Sequence, residues 1–281
     1  MAFNELFDET LDINSTANYI LSIQANLDGF YFVVTDTLRN KHVLFRAYEP
    51  DDDQRFTAAK IESICRDDDF LTRTYSATYL SIPSPGSTLV PSSLYDPSGR
   101  DDYFKLNITP AENEVIKVNK LRYPDAYLIF SVDGELSSLL ASIFPGCEPM
   151  HHLKPLLHHL LTTRESQTEN VLHLHVEKDF INVIHIAESS VKLCNTFTYK
   201  SISDLMYYVL YIARKAGLSS PAPLFVTGAT VRFDEIWTGL SEYISQIRYS
   251  RPSGKTLFSY VFNEEIQHRH LNLFNLANCV L

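Results

Sequence analysis

The chain has 281 residues, 45% of them hydrophobic, and its 34 acidic against 24 basic side chains give a formal net charge of -10. That length holds one domain or two of roughly 140 residues with apolar material for a sizeable core. The acidic balance, with a pI near 5.4, argues against nucleic acid or an anionic membrane surface as partner. Four cysteines, Cys65, Cys147, Cys194 and Cys279, lie far apart with no Cys-x-x-Cys pair, which argues against a zinc ribbon or a dense disulfide framework and reads them as buried thiols.

Residues 1–16 are polar and acidic and read as an arm without a motif. They lack the basic and apolar stretches of a signal peptide, and the longest apolar run, 205–213, falls far short of the ~18 residues of a membrane span. The expectation is a cytoplasmic protein with no direct membrane insertion. Residues 19–24, 30–35 and 43–48 then form three strands in a meander, with Asp28-Gly29 as a hairpin turn of the kind that tolerates positive φ. The acidic run 49–53 sits where the N-terminus of a helix running to about Cys65 favours negative charge. A solvated helix start explains it better than a metal site, because neighbouring carboxylates splay around one turn.

Residues 76–82 read as a fourth strand, and 83–110, with five prolines, as a long packed loop. Two strands, 114–121 and 126–132, follow. Asp133 caps a helix whose stripe is Leu136, Leu139, Leu140 and Ile143, stopped by Pro145. Residues 151–163 form a second helix, and the polar connection 162–169 marks a boundary dividing the chain into 1–163 and 164–281.

Residues 170–199 repeat the meander. Val171, His173 and His175 face one way and Leu172, Leu174 and Val176 the other, as a half-buried strand requires. The polar break 177–179 leads to a strand at 180–187, and the break 188–190 to another at 191–198. The next helix is well signalled: Ser201 with Asp204 resembles a capping box, Leu205, Val209 and Ile212 make an apolar stripe, Arg214 and Lys215 suit the negative end of the dipole, and Gly217 stops it. Residues 223–227 read as a strand entering a turn at Gly228, 233–243 as a helix and 245–249 as a strand. The apolar C-terminus, with Leu273, Leu276 and Val280, docks on the body. Offset by about 150 residues, the two meanders follow one order of elements.

Two units of three meandering strands, helix, strand, helix and strand resemble the duplicated ribonuclease-H-like architecture of actin-like ATPases. The chain is similar, more closely, to an uncharacterised bacterial family of short proteins, a domain of unknown function assigned that fold, whose kin are scaffolds of pilus assembly and type II secretion. The resemblance rests on the meanders 19–48 and 170–199 and on Leu224-Phe225-Val226-Thr227-Gly228-Ala229. It implies an α/β fold of two ribonuclease-H-like halves in an actin-like ATPase arrangement.

In actin-like ATPases, two Asp-x-Gly hairpins hold magnesium and phosphate: the Asp organises the hydrated metal and the Gly lets backbone N–H groups approach the phosphate oxygens. Here the positions read Gln24-Ala25-Asn26 and His175-Val176-Glu177, without either aspartate or glycine. Asp28-Gly29 serves only if the register shifts, and Gly228-Ala229 keeps one residue of the family's Gly-Gly adenosine turn. If ATP with magnesium bound, Asp28, Gly29, Gly228 and Ala229 would hold it. Only nine glycines occur in the chain, about half the average frequency, in keeping with the loss of glycine-rich phosphate loops. No catalytic residue and no cofactor follow from these positions.

A two-metal nuclease, also hosted by ribonuclease-H-like cores, needs a carboxylate in the middle of the first strand, which neither 21–23 nor 172–174 supplies. His173 and His175, with His185, and the set His151, His152, His158 and His159 on one helix, raise a zinc site, but without a defined third ligand they read as surface or interface histidines. The expected function is a non-catalytic scaffold or protein-interaction module on a degenerate actin-like fold, with a protein partner or homo-oligomer and no nucleic acid. An ATP-binding or ATP-hydrolysing protein is the alternative.

Overall fold

The computed structural model describes residues 2–51, 54–163, 170–218, 223–231, 234–252 and 256–280. It opens with β1 (Ala2–Phe7), where the sequence suggested an arm. β1 runs antiparallel along β4, placing Phe3 against Tyr48 and Glu5 against Arg46, and the Arg46 guanidinium reaches Glu5, Asp68 and Asp69. Its alternation was hidden because an edge strand leaves Phe3 and Phe7 exposed.

The meander is β2 (Tyr19–Asn26), β3 (Gly29–Asp36) and β4 (Lys41–Glu49). The β2–β3 loop is Leu27-Asp28, closed by the pair Asn26 and Gly29. Gly29 is therefore a strand residue without the positive φ expected of it. Helix α1 (Ala58–Asp67) starts later than the acidic run suggested: Thr57, whose hydroxyl accepts from the Lys60 amide, is the cap, and no acidic residue lies in the first turn. The part of that run at 52–53 lies outside the described residues.

β5 (Ala77–Ile82) joins β2 in parallel. The stretch read as a long loop contains β6 (Ser87–Pro91) and α2 (Arg100–Lys105). β6 pairs with β8 in a separate three-stranded sheet, β6-β8-β7, formed with β7 (Glu114–Leu121) and β8 (Ala126–Asp133). Flanking prolines obscured a strand only five residues long. Asp133 then caps α3 (Gly134–Ile143), accepting from the Leu136 amide. β9 (Met150–His151) adds to β5, so His151 is a strand residue and His152 the N-cap of α4 (Leu153–Thr162). The four histidines thus do not share a helix. The connection at 164–169 lies outside the described residues.

The second meander is β10 (Asn170–Val176), β11 (Phe180–Ala187) and β12 (Ser190–Thr198), followed by α5 (Ile202–Lys215) with both hydrogen bonds of the capping box and Gly217 at φ 65°. β13 (Leu224–Gly228), α6 (Glu235–Ser241) and β14 (Ile247–Tyr249) complete the unit. Residue 233, where the helix was expected to begin, lies outside the described residues. The strand orders β4-β3-β2-β5-β9 and β12-β11-β10-β13-β14 repeat one topology, with the same parallel and antiparallel pairings. The architecture is α/β, two ribonuclease-H-like halves.

The C-terminal segment, β15 (Leu257–Phe258), α7 (Glu264–Arg269) and α8 (Leu271–Phe274), crosses back to the first half. β15 pairs with β4, and Phe262, Leu273 and Phe274 pack on Val33, Phe45 and Ala47. Leu273 and Leu276 are buried as expected of a docked terminus, whereas Val280 is exposed. The α4 leucines share a core with Leu121 and Leu128 of the first half and Val171, Ile184, Ile186 and Phe225 of the second. Among the described residues no helix is long and apolar enough to cross a membrane.

Candidate functional site

Period-two geometry positions the site. On β2, Leu21, Ile23 and Ala25 enter the core under α1 and α3, so Gln24 and Asn26 point to the opposite face. On β10, Leu172, Leu174 and Val176 enter the core under α5, so His175 takes the opposite face. Both opposite faces turn toward the junction of the halves. There a cleft of about 400 Å³ is lined by Gln24, Asn26, Asp28, Tyr31, Glu177 and Gly228, among others. Ala229, Glu49, Lys178, Tyr199, Arg269 and His270 complete its wall.

Of the nucleotide candidates, Asp28, Gly228 and Ala229 therefore come together, while Gly29 lies one residue beyond, in β3. Gly228 is constrained on two counts: its φ is +91°, and a Cβ there would stand 2.1 Å from the Val176 carbonyl oxygen. Only glycine permits this approach of β13 to β10, and the Ala229 amide donates to the same carbonyl at 2.7 Å.

The two hairpins touch through charge. Arg55 forms an ion pair with Asp28 at 3.1 Å and another with Asp179, and the Lys178 ammonium lies 4.0 Å from Asp28. Burial pushes the Asp28 carboxyl up, against the pull of Arg55. Farther along, Glu49 accepts from the Tyr31 hydroxyl at 3.1 Å and faces Arg269 at 3.5 Å.

Glu177 is the carboxylate at the centre. One of its oxygens lies 3.1 Å from His175 Nε2, while His175 Nδ1 meets the Thr227 hydroxyl at 2.9 Å. Burial works to raise the Glu177 carboxyl, but the hydrogen bond from His175 and nearby positive charge, Arg269 included, hold it below the usual carboxylate range. Behind His175, the ring of His152 stacks at 5.5 Å, and the ring of His151 lies 4.2 Å from His152. His152 Nε2 meets Asn182 Oδ1 at 2.7 Å, and His151 Nε2 meets the Ser84 carbonyl at 2.9 Å. These histidines, with His173 and His159, are buried rather than at the surface, and burial pushes His152 down to about 4. Among the described residues no group of three or more His, Cys, Asp or Glu side chains is arranged to hold a metal ion.

In the first half the counterpart of the His175–Thr227 pair is Gln24 opposite Ser81. The Gln24 side chain, 7% exposed, makes no hydrogen bond among the described residues, and neither do Ser81 Oγ nor Asn26 Oδ1, both buried atoms. Sequence reasoning missed Tyr31, Glu49, Arg55, Tyr199, Arg269 and His270. Glu49 was absorbed in the acidic run, and nothing local marks Arg269-His270 as returning to a cleft some 220 residues upstream.

A family model described as Protein of unknown function (DUF3822) matches residues 8–247. The chain belongs to this family. The fold is also that of a solved Bacteroides thetaiotaomicron protein with an actin-like ATPase fold and unknown function, 22% identical, with a TM-score of 0.77 over 86% of this chain and 94% of that one. A second similar structure is the PilM-PilN type IV pilus biogenesis complex, 11% identical, with a TM-score of 0.56 over 92% of this chain and 97% of that one. A comparison with curated proteins finds no match. At these identities the likeness establishes the actin-like fold of the DUF3822 chain, which the two repeated strand orders independently display.

Proposed function

We propose that this DUF3822 protein is a non-catalytic scaffold or protein-interaction module on a degenerate actin-like fold. The observation that carries the reading is Glu177, a half-buried carboxylate held below the usual carboxylate range, lining the cleft at the position where actin-like ATPases, which the sequence resembles, present glycine to phosphate. A carboxylate at that place opposes a triphosphate by charge, and its side chain fills the space that glycine leaves. Gln24, opposite, offers an amide where the family carries a metal-organising aspartate. The residues present do not fit magnesium and nucleotide, and no catalytic step is derived through them. A partner protein suits the same reading, since one structural neighbour, PilM, is solved in a complex with PilN.

The second reading, an ATP-binding or ATP-hydrolysing protein, draws on Gly228-Ala229, which line the same cleft in the tight conformation described above. Titration calorimetry with Mg-ATP separates the two. The scaffold reading expects no binding heat. A dissociation constant of about 10 μM or tighter, roughly -7 kcal/mol, promotes the second reading. Pull-down with the intact protein then identifies the partner.

A further inference from the structure

Three features of the cleft point to one ligand chemistry. First, its wall carries three carboxylates, Asp28, Glu49 and Glu177, against two cations, Lys178 and Arg269. Asp28 faces Arg55 and Lys178, and Glu49 faces Arg269, which leaves Glu177, among the described residues, with a hydrogen bond from His175 and no Lys or Arg within ion-pair distance. Second, the Gln24 side chain, 7% exposed, lines the cleft and makes no hydrogen bond among the described residues, and Asn26 Oδ1 is a buried oxygen that has none among them. A buried polar group left in that state costs about 1–3 kcal/mol, a cost that a ligand donor would relieve. Third, a neighbouring cavity of about 240 Å³ shares Asn26, Asp28, Glu177 and Lys178 with the cleft, so that the two adjoin along both hairpins as one groove.

We propose that the groove takes an extended segment of a partner protein and that the cleft receives the primary ammonium of a lysine on it, with Glu177, Gln24 and Asn26 as acceptors. An ammonium has three donors and no acceptor, matching one carboxylate oxygen and two amide oxygens. The second cavity leaves room for chain beyond the ammonium, which favours a peptide over a free amine. This inference rests on the scaffold reading and names the chemistry of its partner.

The test is nuclear magnetic resonance titration of the intact protein with the peptide acetyl-Gly-Gly-Lys-Gly-Gly-amide, its Nε-acetyl-lysine version, n-butylamine and Mg-ATP. The lysine peptide is expected to shift the signals of residues 24–29 and 175–179 with a Kd near 1 mM. The acetylated peptide should bind at least tenfold more weakly. Glu177→Gln, which keeps the side chain's shape, should lose the response tenfold or more, and Gln24→Leu should weaken it with the fold intact by circular dichroism. Equal response to the two peptides, or an unchanged response in Glu177→Gln, overturns the ammonium site. Butylamine binding as tightly as the lysine peptide overturns the partner segment as source. Mg-ATP shifting the same signals overturns the scaffold reading itself, whereas silence with every ligand overturns the ammonium site alone.

Discussion

Arg55 and Asp179, 124 residues apart in sequence, are joined by an ion pair across the junction of the two halves. The same guanidinium holds Asp28 at 3.1 Å, so one side chain ties the loop after β2 to the loop after β10. The chain supplies both signs of charge at this contact itself. Arg55 is 54% exposed, and exposed pairs contribute at most about 1 kcal/mol. Arg55→Ala is therefore expected to change unfolding free energy by less than about 1 kcal/mol while speeding amide hydrogen exchange at 27–29 and 177–180. High salt should act in the same direction. Unaltered exchange in the variant would show that the bridge does not hold the loops.

Gly228 and Gly146 allow a controlled comparison. Both have positive φ, +91° and +83°, but a Cβ at Gly146 meets nothing within 4 Å, whereas at Gly228 it meets the Val176 backbone. Gly146→Ala should cost about 1 kcal/mol, the strain of left-handed backbone alone. Gly228→Ala should cost clearly more, about 3 kcal/mol or above, because β13 must also move off β10. Urea denaturation measures both, and equal costs would refute the close-approach argument.

Acid should destabilise this protein through its buried histidines. Burial pushes His42, His173 and His270 down to about 3 and His152 and His159 down to about 4. With folded values below the unfolded value of about 6.5, the unfolded chain takes up protons first as pH falls. The stability these groups carry is complete above about pH 6.5 and is lost as pH falls from there through about 4 to 3, each contributing about 1.4 kcal/mol per pH unit. His173 is the group to remove: it stacks on Phe225, and among the described residues neither ring nitrogen has a hydrogen-bond partner. His173→Leu is expected to lower the slope of stability against pH by about 1.4 kcal/mol per unit, read from urea midpoints between about pH 4.5 and 5.5, below the unfolded value and above the folded one.

What could be read from the sequence follows a physical line. The capped helix after Ser201 and the meander strands were legible because capping, periodicity and alternation are local signals. β1 and β6 were not, because an edge strand and a five-residue strand between prolines carry little alternation. That Gln24, Asn26 and Glu177 share one cleft was legible through the resemblance, whereas His175, expected with them, is buried and does not line it. Arg55, Arg269 and His270 were not: their place is set by loop paths and by a C-terminal segment returning across the molecule, which no window of sequence contains.

That return also bears on how the molecule unfolds. A chain of two halves invites two transitions, yet α4 packs Leu153, Leu156, Leu157 and Leu160 in one core with residues of both sheets and with Leu271 of the C-terminal segment. The same segment buries Phe262, Leu273 and Phe274 against the first sheet. Separating the halves would expose both cores, so neither half keeps a complete core without the other. Unfolding should be one cooperative transition by both circular dichroism and fluorescence of Trp237 in the second half. Leu160→Ala, which empties a fully buried position, should lower stability by about 2–5 kcal/mol and shift both probes together. Two separated transitions in the unmodified protein, or a shift of one probe alone in the variant, would mean that α4 belongs to one half energetically rather than joining the two.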